Sequence, residues 1–346
     1  MTAGAKKSAP PLWAQRVAAT AWRASAAAPS LPALGGLVYG RGGHDASPAL
    51  ADTGTRVLAP AEAPVDAWCS GGPLVYGRCG SVHWAHNGHW LFGALELDEG
   101  TEGDSLTTLS TRAYRDVFET LAHTGCNHLL RLWNYLPGIN ADAGGMERYR
   151  QFNSGRQQAF LEAGQAAFEG APAACALGTR DGPLRVRFLA GRHAAVPIEN
   201  PRQTSAYHYP RDYGPHSPTF SRAALVEAGG GQVALLISGT SSIVGHESVH
   251  AGDVAAQTRE TLANLRAVIE SAHRRCSARF DLATADCVIY VRRGEDAALI
   301  CQIFEAEVGA DSPAARHAIV LEADICRADL QVEIEAHAFA PGEVRP

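Results

Sequence analysis

The sequence predicts an α+β protein built from two similar units, with helices packed on one face of mixed sheets. The chain has 346 residues, more than one hydrophobic core usually serves. Hydrophobic residues make up 46% of the chain, which is ample for packed cores. Both halves also give the same predicted order of elements: strand, helix, strand, helix, strand, strand.

Three segments follow from this repetition. Residues 1–30, rich in alanine and proline, are predicted to form a disordered leader, followed by a first unit at 31–195 and a second unit at 196–346. At the junction, residues 197–219 are rich in proline and aromatic side chains. A connection of this length is typical of a functional loop and not of a tight turn.

The first unit is predicted to be turn-rich up to about Pro73. Its first helix begins at a cap provided by Ser105 or Thr107 and ends at Gly125. A second helical region covers Glu147–Phe168. The predicted strands are Leu74–Val82, His89–Leu97, His128–Tyr135, Ala173–Leu177 and Leu184–Phe188.

The second unit contains a long helix capped by Asp253, with apolar residues recurring on one stripe. Its predicted helices are Val254–Ala272 and Asp296–Val308, and its predicted strands are Val233–Ser238, Cys287–Val291, Ala318–Glu322 and Leu330–Ala336. The last strand alternates strictly, so Glu333 and Glu335 share one face. Such acids usually face solvent, and a functional interpretation depends on the rest of the chain.

Charge and composition exclude several classes of function. The net charge is −6 and no basic run is longer than two residues, so nucleic acid is not an expected partner. Lys6 and Lys7 are the only lysines, which excludes a catalytic lysine or a Walker-type phosphate lysine in the core. Arginine, whose planar fork binds carboxylates bidentately, carries nearly all the positive charge.

Cysteine usage and hydropathy indicate a cytoplasmic protein. The eight cysteines form no CxxC pair, so neither a disulfide framework nor a zinc knuckle is expected. No segment has the roughly 20 apolar residues of a membrane span, and a membrane is therefore not an expected partner.

One short pattern resembles a metal site. His246–His250 reads HExxH, in which two histidines one helical turn apart bind zinc. Glycines flank this pattern and the predicted helix starts only at Asp253, so these residues are expected to form a loop. We therefore predict no metal ligand here.

Two arginine-rich and aromatic stretches remain. One runs from Arg131 to Arg156, and the other lies in the 197–219 loop with three tyrosines and two arginines. The first could be a solvated helix face, but together the stretches suit a ring-shaped dianion.

Several long motifs carry a family resemblance. RLWNYLPGIN, GGMERYRQFNSGRQQAF, ENPRQTSAYHYPRDYGP and SGTSSIVGHESVH resemble the chorismatase family from about residue 70 to the C-terminus. The second half is similar to the RidA/YjgF superfamily. The resemblance implies two RidA/YjgF-like (chorismate mutase-like) α/β sandwich units at 31–195 and 196–346.

The resemblance also implies a reaction and a site. Chorismate, a small molecule with two carboxylates and an enolpyruvyl ether, would be cleaved to pyruvate and a ring acid without metal or organic cofactor. Glu333 would protonate the enol ether, which requires a raised pKa from burial and from Glu335, its possible tuning partner. The residues predicted to bind substrate are Arg148, Arg156, Tyr207, Arg211, Tyr213 and Arg316.

Gly239 and Cys326 match the family members that aromatise the ring, so we predict 3-hydroxybenzoate as product, alone or with 4-hydroxybenzoate. The thiol would assist proton and leaving-group steps, although a lone buried cysteine is more often inert. The alternatives are a hydrolytic chorismatase that releases a dihydroxycyclohexadiene carboxylate, a RidA-like imine deaminase, and a small-ligand binding protein. A homotrimer and a monomer both remain open.

Overall fold

The protein was analysed as a computed structural model. It describes residues 9–26, 32–40, 52–100 and 105–345. The strands of the N-terminal part are β1 (Leu12–Ala18), β2 (Ala33–Val38), β3 (Arg56–Ala59), β4 (Pro64–Ser70), β5 (Val75–Cys79), β6 (Val82–His86), β7 (Trp90–Leu97), β8 (His128–Pro137), β9 (Asp142–Ala143), β10 (Met146–Glu147), β11 (Ala173–Thr179) and β12 (Leu184–Gly191).

The C-terminal part continues with β13 (Val196–Ile198), β14 (Ala223–Gly229), β15 (Gln232–Ser241), β16 (Ile243–Val244), β17 (Glu247–Ser248), β18 (Asp286–Val291), β19 (Ile319–Glu322) and β20 (Val332–Pro341). The α-helices are α1 (Ala19–Ala26), α2 (Leu106–Thr124), α3 (Arg148–Glu162), α4 (Val254–His273), α5 (Ala297–Val308) and α6 (Pro313–His317).

Two large mixed sheets form the centre of the protein. The first has six strands in the order β11-β8-β12-β7-β6-β5, and the second has seven in the order β13-β14-β15-β20-β18-β19-β3. A smaller sheet, β1-β4-β2, is separate from both. The predicted α+β class with mixed sheets is confirmed.

The two large sheets pack face to face, and each is covered by helices on its other side. Trp133, Leu236 and Tyr290 belong to the core between the sheets. Tyr114 of α2 packs in the core outside the first sheet, and Leu262 of α4 packs in the core outside the second. The layers therefore run helix, sheet, sheet, helix, and the inner faces meet away from solvent.

Capping residues define the main helices as predicted. The Ser105 hydroxyl accepts a hydrogen bond from the Thr108 amide at 3.3 Å, and Gly125 ends α2 with φ 71°. Asp253 accepts from the Ala256 amide at 2.9 Å and starts α4. Both helices thus begin where a capping side chain accepts a hydrogen bond from a free backbone amide.

Other local predictions are wrong. The helix predicted through Phe168 ends at Glu162, because Gly164 turns the chain with φ 63°. The strand predicted at Leu74–Val82 is the hairpin β5–β6, because Gly80 adopts φ 55°. A glycine at positive φ can end an element without interrupting the apolar pattern around it.

The predicted leader and turn-rich region contain ordered elements. Leu12–Ala18 is a strand and Ala19–Ala26 a helix, so the disordered leader is wrong for these residues. Residues 1–8 and 27–30 lie outside the described residues. β1 forms by pairing with β4, which is wholly buried and comes much later in the chain, and local composition does not reveal such a partner.

The division between residues 195 and 196 falls between β12 of the first sheet and β13 of the second. The boundary between the two predicted units stays a prediction, because β3 precedes that boundary and yet pairs with β19 of the second sheet.

Candidate active site

A cavity of about 500 Å³ lies where β15, β20 and the loop before β20 meet the connection between the sheets. Its lining residues are Glu147, Tyr149, Arg150, Tyr209, Tyr213, Pro218, Phe220, Arg222, Gly239, Ser241, Ile243, Glu247, Ser248, Cys326, Arg327, Ala328, Asp329 and Glu333. This volume is typical of a site for a small organic molecule.

Glu333 contributes a buried carboxyl group to this cavity. It lies on β20, between β15 and β18, and the residue is 3% exposed. Ser241 Oγ donates to its Oε2 at 3.4 Å. Burial, followed by the negative charge of Glu335, raises the pKa of Glu333 to about 8. The carboxyl group is therefore mainly protonated at neutral pH and can donate its proton.

The orientation of β20 explains this burial. Val332, Ile334 and Ala336 face the core beneath α4, so the alternate side chains face the first sheet. Glu333 and Glu335 are both buried there. The ordinary expectation of two solvated acids is wrong because a second sheet covers the polar face of the strand.

Gly239 lies against the catalytic carboxyl group predicted from the sequence. Ser238 and Gly239 form a bulge on β15, where the pairing with β20 shifts between Ile237 and Thr240. A Cβ atom at Gly239 would overlap Glu333 Oε1 and lie 2.7 Å from Glu333 Cδ. Glycine is thus needed because the carboxyl group approaches the backbone closely.

Cys326 lines the cavity from the loop between β19 and β20. Burial, followed by the nearby Glu333 carboxyl, raises the pKa of the Cys326 thiol to about 12. The side chain is therefore a neutral thiol at physiological pH, suited to hydrogen bonding and proton transfer and not to nucleophilic attack. The structure brings together all three residues predicted to be catalytic.

Two arginines that the sequence did not single out line the same cavity. The Arg327 guanidinium stacks on Tyr213, 4.0 Å from the ring centroid, and its Nη1 donates to His246 O at 2.8 Å. Arg222 is 3% exposed and donates through Nη2 to the Tyr209 hydroxyl at 2.7 Å. Tyrosine rings and hydroxyls therefore hold both cations in place.

Each of these two arginines has one buried N–H group that is free to bind a ligand. Arg222 Nε and Arg327 Nη2 are buried and have no hydrogen-bond acceptor within the described part of the chain. A buried charged donor without an acceptor is costly, and an anionic ligand in the cavity could satisfy it. The arrangement suits a carboxylate-bearing molecule beside a proton donor.

Of the residues predicted to bind substrate, Tyr213 lines the cavity. Arg148 instead pairs with Glu99 and donates to Pro137 O at 2.8 Å. Arg156 is buried beside Asn153, which accepts from its Nη2 at 3.0 Å. Both arginines are on α3 but are directed to partners outside the cavity lining.

The other three predicted binding residues also lie outside the lining. Tyr207 packs edge-on against His208, with ring centroids 4.7 Å apart. Arg211 is exposed in a short 3₁₀ turn, and Arg316 is exposed on α6. Their proposed roles remain untested, but the cavity offers no direct contact that would support them.

Sequence reasoning missed three arginines and two tyrosines that line the cavity, namely Arg150, Arg222, Arg327, Tyr149 and Tyr209. The dense tyrosines of the 197–219 loop were a usable signal for Tyr209. Arg222 and Arg327 had no comparable local signal, because they come from segments far apart in sequence that meet only in the folded chain.

Glu335 lies outside this cavity. Its carboxylate pairs with Arg131 and accepts from the Tyr290 hydroxyl at 3.1 Å, in the core between the sheets. It is therefore placed to act on Glu333 by its charge and not by contact with a ligand in the cavity.

The HExxH pattern covers the end of the turn and the second strand of the short β16–β17 hairpin and the residues after it, outside any helix as predicted. His250 has φ 61° and pairs with Glu260 at 3.2 Å, so the two histidines do not share a helical face. Across the described ranges, no group of three or more His, Cys, Asp or Glu side chains could hold a metal ion. No described helix is long and apolar enough to cross a membrane.

The fold and the cavity define a two-unit α+β enzyme that places a protonated carboxyl group beside fixed arginines. Comparison with known proteins agrees. Residues 66–190 match the model of the N-terminal domain of FkbO/Hyg5-like chorismatases. A 3-hydroxybenzoate synthase of Streptomyces hygroscopicus is 36% identical over 81% of this chain and 83% of its own length.

Two further relatives agree with this match. A chorismatase of Streptomyces rapamycinicus is 38% identical over 79% of this chain and 82% of its own length. A crystal structure of a chorismatase superposes with a TM-score of 0.83 at 32% identity, covering 95% of this chain and 99% of that one. The chain belongs to the chorismatase family.

Proposed function

We propose that this enzyme converts chorismate to 3-hydroxybenzoate and pyruvate. The observation that carries the proposal is the Glu333 carboxyl group, which is buried against Gly239, lines the same cavity as Cys326, and has a pKa raised to about 8. A carboxylic acid with this pKa is matched to proton transfer near neutral pH.

The reaction starts with proton transfer from Glu333 to the methylene carbon of the enolpyruvyl ether. This step leaves a positive oxocarbenium centre and a carboxylate on Glu333, and the new negative charge stabilises the cation. Arg222 and Arg327 supply buried donors for the two substrate carboxylates, which fixes the ether relative to the acid.

Atom balance separates the aromatising route from hydrolysis. All atoms of chorismate appear in 3-hydroxybenzoate and pyruvate, whereas the hydrolytic route adds a water molecule. In the aromatising route the ether bond between ring C3 and oxygen breaks, and that oxygen becomes the keto oxygen of pyruvate. The C4 hydroxyl oxygen then bonds to the C3 cation and gives its proton to the Glu333 carboxylate. Finally the C4–O bond breaks and the C3 proton moves to the phenolic oxygen, which gives 3-hydroxybenzoate. The acid is thereby regenerated without an added co-reactant.

Cys326 supports this route because it is a neutral thiol on the cavity wall. It can donate a proton to the C4 oxygen as that oxygen is transferred to C3, and it can recover a proton from C3 as the ring becomes aromatic. Gly239 supports it by leaving room for the Glu333 carboxyl group to reach the substrate. Both residues thus favour chemistry within the bound molecule over attack by solvent.

The test is incubation of the purified protein with chorismate, followed by chromatographic and mass-spectrometric identification of the products. We expect pyruvate and 3-hydroxybenzoate in equal amounts, and the same chromatogram measures any 4-hydroxybenzoate. Glu333→Gln should bind the substrate and abolish turnover, since its amide cannot donate a carboxylic proton. A dihydroxycyclohexadiene carboxylate as the main product would refute the aromatising route, and absence of pyruvate would refute the activity altogether.

A further inference from the structure

Arg131 connects the two large sheets behind the candidate active site. It lies on β8 of the first sheet and is 3% exposed. Its Nη2 donates to the Glu335 carboxylate on β20, and its Nη1 donates to Ile237 O on β15 at 2.9 Å. The guanidinium also lies 5.3 Å from the Trp133 ring centroid. Arg131 does not line the cavity, so it can influence the site only through its contacts with β15 and β20.

The Ile237 carbonyl marks the start of the bulge that contains Gly239. The pairing of β15 with β20 is regular up to Ile237 and resumes at Thr240, so Ser238 and Gly239 lie opposite Glu335. A hydrogen bond at Ile237 therefore fixes the strand immediately before the residue that faces the Glu333 carboxyl group.

Glu335 has a second donor in this core. The Tyr290 hydroxyl donates to it at 3.1 Å, and the Tyr135 hydroxyl lies 3.0 Å from that of Tyr290. One guanidinium and one hydroxyl thus bind a carboxylate that lies two residues beyond Glu333 on the same face of β20. Such charge-assisted hydrogen bonds hold the Glu335 carboxylate in a fixed place behind Glu333.

We propose that Arg131 is a positioning residue: its bonds to Glu335 and to Ile237 O fix the β15 bulge at Gly239 relative to the Glu333 carboxyl group. This inference rests on the proposed function. The titratable and charged groups around Glu335 come from several elements, namely Arg131 and Tyr135 on β8, Tyr290 on β18, Cys175 on β11, Tyr39 after β2, and Glu333 and His337 on β20.

The expected effect of removing either charge has a definite sign. Glu335→Gln removes a negative charge that raises the pKa of Glu333, so Glu333 should deprotonate at lower pH in this variant. Arg131→Gln removes a positive charge that lowers the same pKa, so it should not move this deprotonation to lower pH. Because Glu333 must be protonated to act, the pH at which the rate falls on the alkaline side (the alkaline limb) should follow this pKa.

The test compares Arg131→Gln, Arg131→Lys and Glu335→Gln with the wild type, using pH profiles of kcat and KM and the ratio of ring products. For Glu335→Gln we expect the alkaline limb to move down by about one pH unit, which lowers kcat above that limb about tenfold. For Arg131→Gln the limb should not move down, but kcat should fall about tenfold at every pH and the share of hydrolysed product should rise, because the bulge loses its hydrogen bond at Ile237. KM should change little. Arg131→Lys should keep the limb but give more hydrolysed product, because one ammonium group cannot replace both hydrogen bonds.

Arg187→Gln is the matched control. Arg187 is a buried arginine of the first sheet that pairs with Glu96 and donates to Leu95 O at 2.6 Å. Its loss should destabilise the fold without moving the alkaline limb. If Arg131→Gln does not fold, Arg131→Lys tests the hydrogen bonds to the bulge. Unchanged kcat and product ratio in folded Arg131→Gln, or an unchanged limb in Glu335→Gln, would overturn the proposal.

Failure of the proposed function is distinguishable from failure of this inference. A wild-type protein that does not release pyruvate from chorismate refutes the function. In that case the infrared band of the protonated Glu333 carboxyl group, assigned with Glu333→Gln and followed against pH, still tests the inference. The band should disappear at lower pH in Glu335→Gln than in the wild type, and coincident titrations would overturn the positioning role.

Discussion

Gly239→Ala gives the sharpest test of the site geometry. The added Cβ would lie 2.7 Å from Glu333 Cδ, whereas carbon atoms in favourable contact are about 3.5–4.0 Å apart, so the carboxyl group must move by about 1 Å. A displacement of this size in a catalytic group costs about 100-fold in rate. The atoms that must shift are at the end of a flexible side chain, so we expect a stability loss of only about 1 kcal/mol.

The assay measures kcat for each ring product by chromatography, with thermal unfolding measured in parallel. Formation of 3-hydroxybenzoate should fall about 100-fold, while the variant stays folded. Gly71→Ala is the matched control, because its nearest added contact is Pro11 Cδ at 3.9 Å and it lies outside the cavity. Wild-type kcat with an unchanged product in folded Gly239→Ala would show that the close approach to Glu333 does not matter for catalysis.

Further predictions follow from the same geometry. Cys326→Ala should lower the share of 3-hydroxybenzoate among the ring products. An unchanged share would show that the thiol takes no part in the aromatising route. Arg327→Lys should raise KM by about tenfold with a smaller change in kcat, because an ammonium group loses the stacking on Tyr213 and cannot offer a planar pair of donors to a substrate carboxylate. Arg316→Ala should leave both constants within about twofold, since this arginine is exposed on α6, and a large rise in KM would restore its predicted role in binding.

The stability of Glu333→Gln should depend on pH in a defined direction. The raised pKa of Glu333 means that the wild type is not destabilised by this residue below pH 4.5, its ordinary pKa, and progressively loses stability as pH rises towards 8. The Gln side chain does not ionise and so escapes this loss. The free energy of unfolding of Glu333→Gln should therefore rise relative to that of the wild type by about 1.4 kcal/mol per pH unit across that range. Denaturant unfolding from pH 4 to pH 8 measures the difference, and parallel curves would contradict the raised pKa.

The sequence by itself determined several local features. The caps at Ser105 and Asp253 and the stop at Gly125 predicted where two helices begin and end, because these side chains act on the neighbouring backbone. Strict alternation likewise placed Glu333 and Glu335 on one face of β20. These features depend on contacts within a few residues, which a single sequence displays.

Tertiary structure alone decided what that face of β20 meets. Periodicity shows that two carboxylates point the same way, but only the packing of the two sheets shows that they are buried, and burial is the main cause of the raised pKa of Glu333. The difference between a solvated edge and a proton donor is therefore a long-range property.

The same limit applies to the arginines. Arg131 and Glu335 are 204 residues apart and meet only because β8 faces β20 across the core. The cavity likewise selects Arg222 and Arg327 in place of Arg148 and Arg316, although all four look alike as charged residues in the sequence. Which cations converge depends on how distant elements pack, and no local pattern carries that information.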